Sequence, residues 1–299
     1  MIPTRDRPEH LEACLRSVRA SLGPDDEVVV VDSASSDPLV SDVAHGYGAV
    51  YLRSEVPGAS RARNIGWRSA RHDVIAFVDD DVRVLPGWAP ALGNTFATFP
   101  ATAFVTGRLG LPPGTTWTDV PISTKEEVEP AVLEAETAGV LGHGANLAVR
   151  RQALQAVNGF DERLGAGGDF MAQEDNDLID RLFATGLTGR YEPEAEGWHE
   201  QWRSRRELAP LNWAYGFGSG ARIAKLIRTD RRRARGTATA VFWDWGMRDL
   251  VRWLPHFRFA AALAVVRVAG ATVGLARTLP VRVVDGHFAT PRVLRHAVG

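Results

Sequence analysis

The sequence contains a single cysteine, Cys14, which excludes an intrachain disulfide framework and is typical of a protein from a reducing compartment. Leu11, Leu15 and Val18 surround Cys14 at helical spacing, so we expect this thiol to lie in the core. Lysine is rare, and arginine provides nearly all of the positive charge. The formal net charge of −1 gives no indication of a polyanionic partner such as a nucleic acid.

No signal peptide is visible at the start of the sequence, and no apolar run of membrane-spanning length is free of charge. The most apolar stretch, Phe259–Leu279, carries Arg267 near its middle and Arg277 near its end. An arginine at the centre of a bilayer costs about 2.5–3.5 kcal/mol, so we do not expect this stretch to span a membrane. Internal repeats and low-complexity tracts are also absent from the sequence. These absences favour a cytoplasmic globular protein.

The sequence has an ordinary globular composition, with 299 residues, of which 45% are hydrophobic and 24% charged. This length suits one large domain, or a domain with an extension. Strand-like and helix-like segments alternate in the first part, which predicts an α/β sheet built from crossover units. Helices are predicted over Glu9–Leu22 and Ser60–Ala70. Continuous apolar runs, which indicate parallel strands covered on both faces, predict strands over Glu27–Val31, Ala49–Leu52 and Val74–Val78.

The later segments are more varied. Residues 107–145 are rich in Gly, Pro and Thr, which predicts a long and partly irregular excursion. Residues 146–162 predict a strand and a short helix, and residues 173–186 predict an amphipathic helix. Residues 203–299 are predicted to be mostly helical.

At the start of the chain only Ile2 is expected to belong to a strand, which suggests that the sequence starts late or is trimmed.

Three consecutive carboxylates, Asp79 to Asp81, follow an apolar run in the stretch FVDDDVRV. Adjacent like charges are costly to remove from water unless a cation or a polar cleft relieves them. Because residues alternate faces in a strand, Asp79 and Asp81 are predicted to share one side. Two carboxylates on one side of a strand end would suit Mg²⁺ or Mn²⁺. A solvated acidic turn is the alternative interpretation.

Two other carboxylate features stand at positions that suit a site. Asp32 follows the strand Glu27–Val31, and open α/β sheets bind ligands at the carboxyl ends of their strands. Ordinary capping of a helix by Asp or Ser is the alternative. Glu174 and Asp175 begin the amphipathic helix, and Asp175 precedes its apolar stripe at a spacing that turns it inward. An inward carboxylate there could act as a general base, or could simply complement the helix dipole.

Histidine, arginine and glycine complete the set of candidate functional residues. His199, in GWHEQW, is interpreted as a metal ligand, a phosphate donor or an ordinary half-buried histidine. Arg61, Arg63 and Asn64 lie at a predicted helix start that suits an anion. The stretch GHGAN, residues 142–146, offers close backbone approach and polar contacts. The stretch GFGSGA, residues 216–221, follows a helical segment rather than a strand, so we discount it as a dinucleotide loop.

In their order along the chain, these motifs resemble those of the family 2 glycosyltransferases. The motifs are PTRDRPEHL, VVVVDSASSD, GASRARNIG, FVDDD, GHGANLAVRRQALQAVNGFDE and QEDNDLIDRL, from Ile2 to about His199. The resemblance implies an α/β GT-A fold, the nucleotide-diphospho-sugar transferase fold, with a mostly parallel central sheet flanked by helices. It implies a catalytic domain over 1–202, with a nucleotide-sugar half (1–106) and an acceptor half (107–202). A helical C-terminal extension would cover 203–299.

The resemblance also implies a role for individual residues. The nucleotide sugar would contact Pro3, Thr4, Asp6, Asp32, Arg63, Asn64, Asp79 and Asp80. Asp79 to Asp81 correspond to the DxD motif, and a divalent metal, Mn²⁺ or Mg²⁺, would bind Asp81, Asp79 and His199. Asp175, with Glu174 beside it, would be the catalytic base. The acceptor side would include His143, Gly144 and Asn146.

The implied activity is transfer of a hexosyl or related group from a nucleotide-diphosphate sugar to an acceptor hydroxyl. Transfer would occur by metal-assisted direct displacement with inversion. A glycan, a lipid-linked molecule or a small molecule would be the acceptor, as in glycan or cell-envelope biosynthesis. A nucleotidyltransferase and a catalytically silent nucleotide-sugar-binding protein at a membrane surface are the alternatives. A Rossmann oxidoreductase is a more distant one, because no glycine fingerprint follows the first apolar run.

The extension raises the question of a membrane surface. Its aromatic and arginine residues are mixed in a way that suits an interfacial helix on anionic lipid. The residues concerned are Trp243, Trp245, Trp253, Phe257 and Phe259, with Arg248, Arg252 and Arg258. Helices packed on the catalytic domain are the alternative. The interfacial interpretation predicts a peripheral protein on the inner face of the plasma membrane.

Overall fold

A computed structural model of the chain describes residues 1–115, 123–137, 139–200, 202–248, 250–251 and 258–289. Strands and helices alternate in its first part, as predicted, and helices dominate after residue 204. The strands are β1 Ile2–Thr4, β2 Val29–Ser33, β3 Val50–Ser54, β4 Val74–Val78, β5 Val82–Val84, β6 Phe104–Gly110, β7 Ala131–Leu133, β8 Asn146–Arg150, β9 Gly189–His199, β10 Val283–Val284 and β11 His287–Phe288. The helices are α1 Pro8–Ser21, α2 Leu39–Gly46, α3 Ala59–Ser69, α4 Trp88–Thr98, α5 Arg151–Ala156, α6 Glu174–Ala184, α7 Arg205–Thr229, α8 Arg231–Thr239, a π-helix Ala240–Arg248 and α9 Arg258–Thr278.

The first three strands form a parallel sheet in the order β1-β2-β3. Its register places Thr4 opposite Asp32 and Asp32 opposite Arg53, so the polar ends of these strands share one edge. The expectation that the first strand is almost missing is therefore wrong, since Pro3 and Thr4 extend it beside β2. Proline lacks a ladder donor and weakens a strand signal in sequence, which explains the error.

The second sheet has six strands, in the order β4-β8-β6-β9-β5, with β7 paired to β9. The Met1 amino group donates to the carbonyl of Ala76 (2.7 Å), and the amide of Val78 donates to the carbonyl of Met1 (3.1 Å). These bonds join β1 to β4. In this sheet β6 and β9 are parallel and the other pairs are antiparallel. The parallel character predicted for the sheet thus holds mainly in β1–β3. The strand β8 follows an irregular connection rather than a crossover helix, which permits an antiparallel direction.

Two apolar clusters cover the faces of the sheet. Ile75 and Phe77 of β4 enter one cluster, whereas Val78 enters the other. Cys14 lies in the second of these clusters and is fully buried, as expected. Because β4 is packed on both faces, its position is fixed, and the acidic residues directly after it are held in place.

The helices α7 and α9 pack closely and run parallel. Their backbones touch at four glycines, Gly216, Gly220, Gly270 and Gly274. A Cβ on Gly216 would lie 2.0 Å from the carbonyl of Arg267, and one on Gly220 would lie 2.1 Å from that of Ala271. The GFGSGA stretch is thus a helix-packing motif, which agrees with discounting it as a nucleotide loop.

Some predictions about the extension fall on residues that the structure leaves out. Arg252, Trp253 and Phe257 lie outside the described residues, as does the side chain of Arg258. The predicted domain boundary between residues 202 and 203 stays a prediction. Ion pairs cross it: Lys225 of α7 contacts Asp161 and Asp177, and Arg222 contacts Asp180.

Candidate active site

The three consecutive aspartates form a turn between β4 and β5. Strand β4 ends at Val78, and the amide of Val82 donates to the carbonyl of Asp79 across the turn (3.1 Å). Strand alternation therefore stops at Val78, so it does not decide whether Asp79 and Asp81 share one side, which stays a prediction. The turn is not solvated, since Asp80 and Asp81 are 1% and 5% exposed. Each aspartate faces a different set of partners.

Asp81 lies at the centre of a mixed group of donors. The indole of Trp202 donates to its Oδ2 (2.9 Å), as does Nη1 of Arg7 (3.3 Å). Nε2 of His199 lies 3.5 Å from Oδ1, and Arg203 is 4.0 Å from Oδ2. Burial opposes the charge of Asp81, but His199 and Arg7 outweigh it and hold the pKa of Asp81 well below its usual range. Burial likewise opposes the His199 cation, and Asp81 raises the pKa of His199.

Asp80 joins the turn to the end of β1. The hydroxyl of Thr4 donates to its Oδ2 (2.7 Å), and Nη2 of Arg7 lies 2.8 Å from its Oδ1. Burial raises the pKa of Asp80 to about 7. Asp80 is therefore buried, and its hydrogen bond with Thr4 holds the end of β1 next to the acidic turn.

Arg63 connects the acidic turn to the start of α6. Its guanidinium, 3% exposed, donates to Asp79 (2.6 Å) and to Glu174 (2.8 Å). Burial disfavours the cation, but these carboxylates more than compensate and raise the pKa of Arg63. Burial raises the pKa of Glu174. The neighbouring Asn64 is used in packing, since its amide bonds the backbone of Phe160 in both directions.

Asp175 stands at the first turn of α6 beside the GHGAN loop. The amide of Gly144 donates to its Oδ2 (2.8 Å), and the amide of Asn176 donates to its Oδ1 (2.7 Å). A Cβ on Gly144 would lie 2.9 Å from that of Asp175, so this approach requires glycine. Gln173, just before the helix, has a φ of 72°, and this left-handed residue turns the chain into α6.

The two other residues assigned to the acceptor side differ in position. The Nε2 of His143 lies 3.0 Å from the carbonyl of Thr124, and burial lowers the pKa of His143. His143 thus stands directly beside the Gly144–Asp175 contact. The amide of Asn146, by contrast, donates to the carbonyls of Arg108 and Ala195 and accepts from Trp88. These bonds assign Asn146 to the packing of the sheet.

Two further residues predicted to contact the nucleotide sugar, Asp6 and Asp32, lie where β1 and β2 end. Asp6, with a φ of 52°, accepts from the amide and the hydroxyl of Ser36 (2.6 and 2.9 Å). The Ser36 amide is the main cause of a lowered pKa of Asp6. Asp32, 1% exposed, accepts from Tyr51 (2.7 Å) and Arg53 (2.6 Å). Pro3 lies on β1.

Two residues of the site were missed by the sequence argument. Arg7 contacts both Asp80 and Asp81, and its guanidinium lies 5.1 Å from the ring centre of Trp202. Both residues lie inside quoted motifs, PTRDRPEHL and GWHEQW, but were given no role there. Their separation of 195 positions hides the contact, and only the fold brings them together.

The donor atoms at Asp81 decide what kind of metal site is possible here. Among the described residues, no group of three or more His, Cys, Asp or Glu side chains is arranged to hold a metal ion. Asp81 and His199 provide two ligands 3.5 Å apart. Mg²⁺ commonly binds one or two protein carboxylates together with substrate phosphates. The donors therefore fit a cation shared with a phosphate ligand, not one enclosed by protein alone.

Together, the parallel β1–β3 sheet, the mixed second sheet and the helices around them form a GT-A fold. Two solved structures share this fold. The mannosyltransferase PcManGT from Pyrobaculum calidifontis, in complex with GDP-Man and Mn²⁺, aligns with a TM-score of 0.60 at 16% identity over 91% of this chain and 74% of its own. S. aureus TarS 1–349 aligns with a TM-score of 0.54 at 13% identity over 95% and 93%.

The sequence comparisons name the family. The family model described as glycosyl transferase family 2 matches residues 1–156, and the chain belongs to this family. The pre-mycofactocin glycosyltransferase of Mycobacterium tuberculosis is 31% identical over 236 residues, which are 75% of this chain and 47% of that protein. The chain thus spans about half the length of this relative. These findings confirm the predicted family, fold and enzyme class, and the roles of individual residues stay predictions.

Proposed function

We propose that the chain transfers a sugar from a nucleotide-diphosphate sugar to an acceptor hydroxyl, by direct displacement with inversion. The observation that carries this proposal is the position of Arg63 between two acidic groups. One is the Asp79–Asp81 turn at the nucleotide-side edge of the sheet, and the other is the Glu174–Asp175 pair of α6. Inversion requires the leaving group and the base on opposite faces of one sugar, and we assign the leaving group to the acidic turn and the base to the α6 pair.

The donor side is supported by the edge of the first sheet. Ligands of open α/β sheets bind beyond the carboxyl ends of the strands, where Asp6, Asp32 and the acidic turn lie. Asp6 and Asp32 are fixed by hydrogen bonds, so this edge is preorganised for a nucleoside. The GDP-Man bound to the structurally similar mannosyltransferase supports a donor of the same chemical class.

Asp81 and His199 are the residues that would hold a divalent cation, Mn²⁺ or Mg²⁺, with Asp79 nearby on the turn. When bound, such a cation neutralises the negative charge that develops on a diphosphate leaving group. Arg7 and Arg63 add fixed positive charge on either side of the turn. Arginine pairs well with phosphate oxygens. Both side chains can therefore contact the diphosphate in addition to the aspartates that they already bind.

Asp175 is positioned to act as the base. The amides of Gly144 and Asn176 each bond one oxygen and hold the carboxylate in place. In the proposed step Asp175 takes the proton of the acceptor hydroxyl, whose oxygen forms the new bond to the anomeric carbon. The bond from that carbon to the diphosphate oxygen breaks on the opposite face, and its electron pair leaves with the diphosphate. A positioned base of this kind typically contributes about 10²–10⁴-fold in rate.

Donor binding and turnover would test the proposal separately. A panel of nucleotide-diphosphate sugars is titrated by calorimetry with Mn²⁺ or Mg²⁺, and hydrolysis or transfer is followed by product analysis. We expect one donor to bind in a cation-dependent manner, Asp81→Asn to lose that binding, and Asp175→Asn to retain it without turnover. Asp169→Asn, on a side chain 60% exposed that pairs with Arg163, is the control.

Three results would contradict the proposal. Pyrophosphate release from a nucleoside triphosphate would identify a nucleotidyltransferase. Cation-dependent donor binding by the wild-type chain, with neither hydrolysis nor transfer to any acceptor tested, would identify a silent binding protein. Wild-type turnover in Asp175→Asn would remove the base assignment.

A further inference from the structure

Charge is distributed unevenly along the chain. Residues 203–299 contain 18 lysines and arginines but 5 acidic residues, whereas residues 1–202 contain 17 and 31. Some of these cations form ion pairs inside the protein. Arg222, Lys225 and Arg233 pair in this way with acidic residues of the preceding part of the chain. Others lie on the surface of the extension. The exposed arginines of α8 and the π-helix are Arg231, Arg232, Arg235 and Arg248, of which Arg232 also pairs with Glu136 (3.7 Å) and Arg248 with Asp244 (3.0 Å).

An apolar stripe runs along α9. In the described part of the chain, Phe259–Thr278 is the one helix long and apolar enough to cross a membrane, with a mean hydropathy of 1.9. Only 33% of its most apolar window is buried. Seven of its described side chains are exposed, and five of these are apolar and recur near the helical period. The apolar ones are Phe259, Ala262, Val265, Ala269 and Ala276, and the other two are Thr272 and Arg277.

The π-helix adds further apolar surface next to α9. Trp243 and Met247, one turn apart, are 62% and 50% exposed, and Val251 beyond them is 65% exposed. The two elements are in contact, because a Cβ on Gly246 would lie 2.6 Å from Cγ2 of Val268 on α9. The exposed apolar side chains of α9 and the π-helix thus lie on neighbouring helices. The arginines lie on α8, which directly precedes the π-helix in the chain.

We propose that α8, the π-helix and α9 form a membrane-binding surface, which docks on a bilayer that contains anionic lipid. Exposed Trp and aliphatic side chains would enter the interface, and the arginines would contact acidic headgroups. The charge of the extension selects this partner, because its arginines greatly outnumber its acids. A second copy of the chain would bring two arginine-rich surfaces together, which is unfavourable. The inference does not depend on the proposed reaction.

The packing of α9 indicates docking on the surface rather than spanning. Hydrogen bonds join α9 to α7 at two levels. Arg267 of α9 donates to the side chain of Asn212, and Arg228 of α7 donates to the carbonyl of Leu279, just after α9. In turn α7 is bound to the catalytic part by the buried Lys225. A spanning α9 would draw α7 and its ion pairs into the bilayer, at a high cost for each charge.

Vesicle binding tests this surface with the full chain. Large unilamellar vesicles of phosphatidylcholine, alone or with about one third phosphatidylglycerol, are mixed with purified protein and floated on a density gradient. We expect the protein to float with the anionic vesicles, to bind neutral vesicles less, and to be released by high salt. Carbonate at high pH should also release it, as it does peripheral proteins.

Two pairs of matched variants locate the binding surface. Arg231→Ala with Arg235→Ala should reduce partition by about thirtyfold, since each basic residue near an anionic surface contributes about one kcal/mol. Its control is Arg16→Ala with Arg71→Ala, which removes the same charge from side chains 69% and 77% exposed. Trp243→Ser with Val265→Ser should reduce partition at least about tenfold. Its control is Val56→Ser with Val128→Ser, at residues 53% and 64% exposed.

Circular dichroism confirms that each variant is folded. The inference is overturned if the folded wild-type chain floats with neither vesicle, or if the control pairs lose as much binding as the test pairs. Retention in the membrane after carbonate treatment would show a spanning helix instead. A concentration-dependent dimer that Trp243→Ser with Val265→Ser abolishes would show that a second copy covers this face.

Discussion

Two groups of carboxylates in this molecule differ in how their charge is balanced. Between α6 and α7, Asp161, Asp177 and Asp180 contact four cations, Arg181, Arg222, Lys225 and Arg233. At the site, in the described residues, five acids face three arginines and His199, and the most distant of these arginines, Arg203, lies 4.0 Å from Asp81. The five acids are Asp79, Asp80, Asp81, Glu174 and Asp175.

The comparison separates carboxylates that hold the fold together from carboxylates that await a ligand. A buried acid whose charge is matched by cations needs nothing further, and its loss leaves its partners unpaired. An excess of buried negative charge favours protonation, as at Asp80, or a bound cation. We therefore expect mutations in the two groups to affect different quantities: stability in the first, and binding or turnover in the second.

Asp175→Asn should give the largest effect on activity. The amide can still accept the Gly144 hydrogen bond but cannot take the acceptor proton, so turnover should fall by about a thousandfold, or roughly 4 kcal/mol. Single-turnover rates of transfer and the Kd of the donor measure the two contributions. An equal loss in both would mean that Asp175 binds the donor and is not the base.

Lys225→Met should give the largest effect on stability. In the wild-type chain Nζ of Lys225 lies 2.6 Å from a carboxylate oxygen of both Asp161 and Asp177. The substitution leaves these two acids facing an apolar side chain, so it should lower the unfolding free energy by about 3–5 kcal/mol. Asp80→Asn removes a charge that burial disfavours, since burial raises the pKa of Asp80 to about 7, so it should cost less than about 1.5 kcal/mol. Urea unfolding of both variants gives the comparison. Similar losses in the two would contradict the distinction between the groups.

Gly218→Ala should give an intermediate effect that reaches the site from α7. A Cβ there would lie 2.7 Å from the carbonyl of Ala172, two residues before Glu174. We expect a loss of about 1–3 kcal/mol in stability and a fall in kcat with little change in donor affinity. Gly236→Ala is the control, because a Cβ at Gly236 in α8 meets nothing within 4 Å and should be neutral or slightly stabilising. A kcat unchanged in Gly218→Ala would show that this contact is purely structural.

The smallest expected effect is on acid stability. Burial alone would raise the pKa of Asp177, but Lys225 and Arg181 outweigh it and lower the pKa below its ordinary value near 3.8. The stability that results is complete above that ordinary value and is lost as pH falls through the lower folded pKa. The difference in unfolding free energy between wild type and Asp177→Asn should therefore narrow below about pH 4. A difference that stays constant from neutral to acid pH would contradict the ion-pair explanation.

Local sequence patterns predicted much of the fold. Strand β4 was predicted with its observed ends, and β2, β3, α1, α3 and α6 were predicted within about two residues, because their apolar periodicity is strong. Pairing direction was less predictable, since β8 is apolar enough to read as parallel yet pairs antiparallel with β4 and β6. Direction depends on the route of the connection, which composition does not specify.

The site shows the same division. Asp32 and Asp79–Asp81 were singled out because acids directly follow apolar strands, and Asp175 because it precedes the apolar stripe of α6. His199 was singled out by its position between Trp198 and Trp202. The roles of Arg7 and Trp202 could not be found, because their contacts depend on tertiary structure. Asn146 shows the opposite case, a polar residue within a conspicuous motif whose amide serves the sheet interior.

The glycine contacts between α7 and α9 also affect how the enzyme would be oriented. With carbonyls in van der Waals contact at four positions, neither helix can slide along or roll over the other without a clash. The pair therefore moves as one body, and its Gly218 touches the chain just before the Glu174–Asp175 pair. A bilayer that holds α9 would thus set the direction in which the acceptor side of the site opens. Acceptors carried in the same bilayer would meet Asp175 at a constant height and angle, whereas soluble acceptors would have no such advantage.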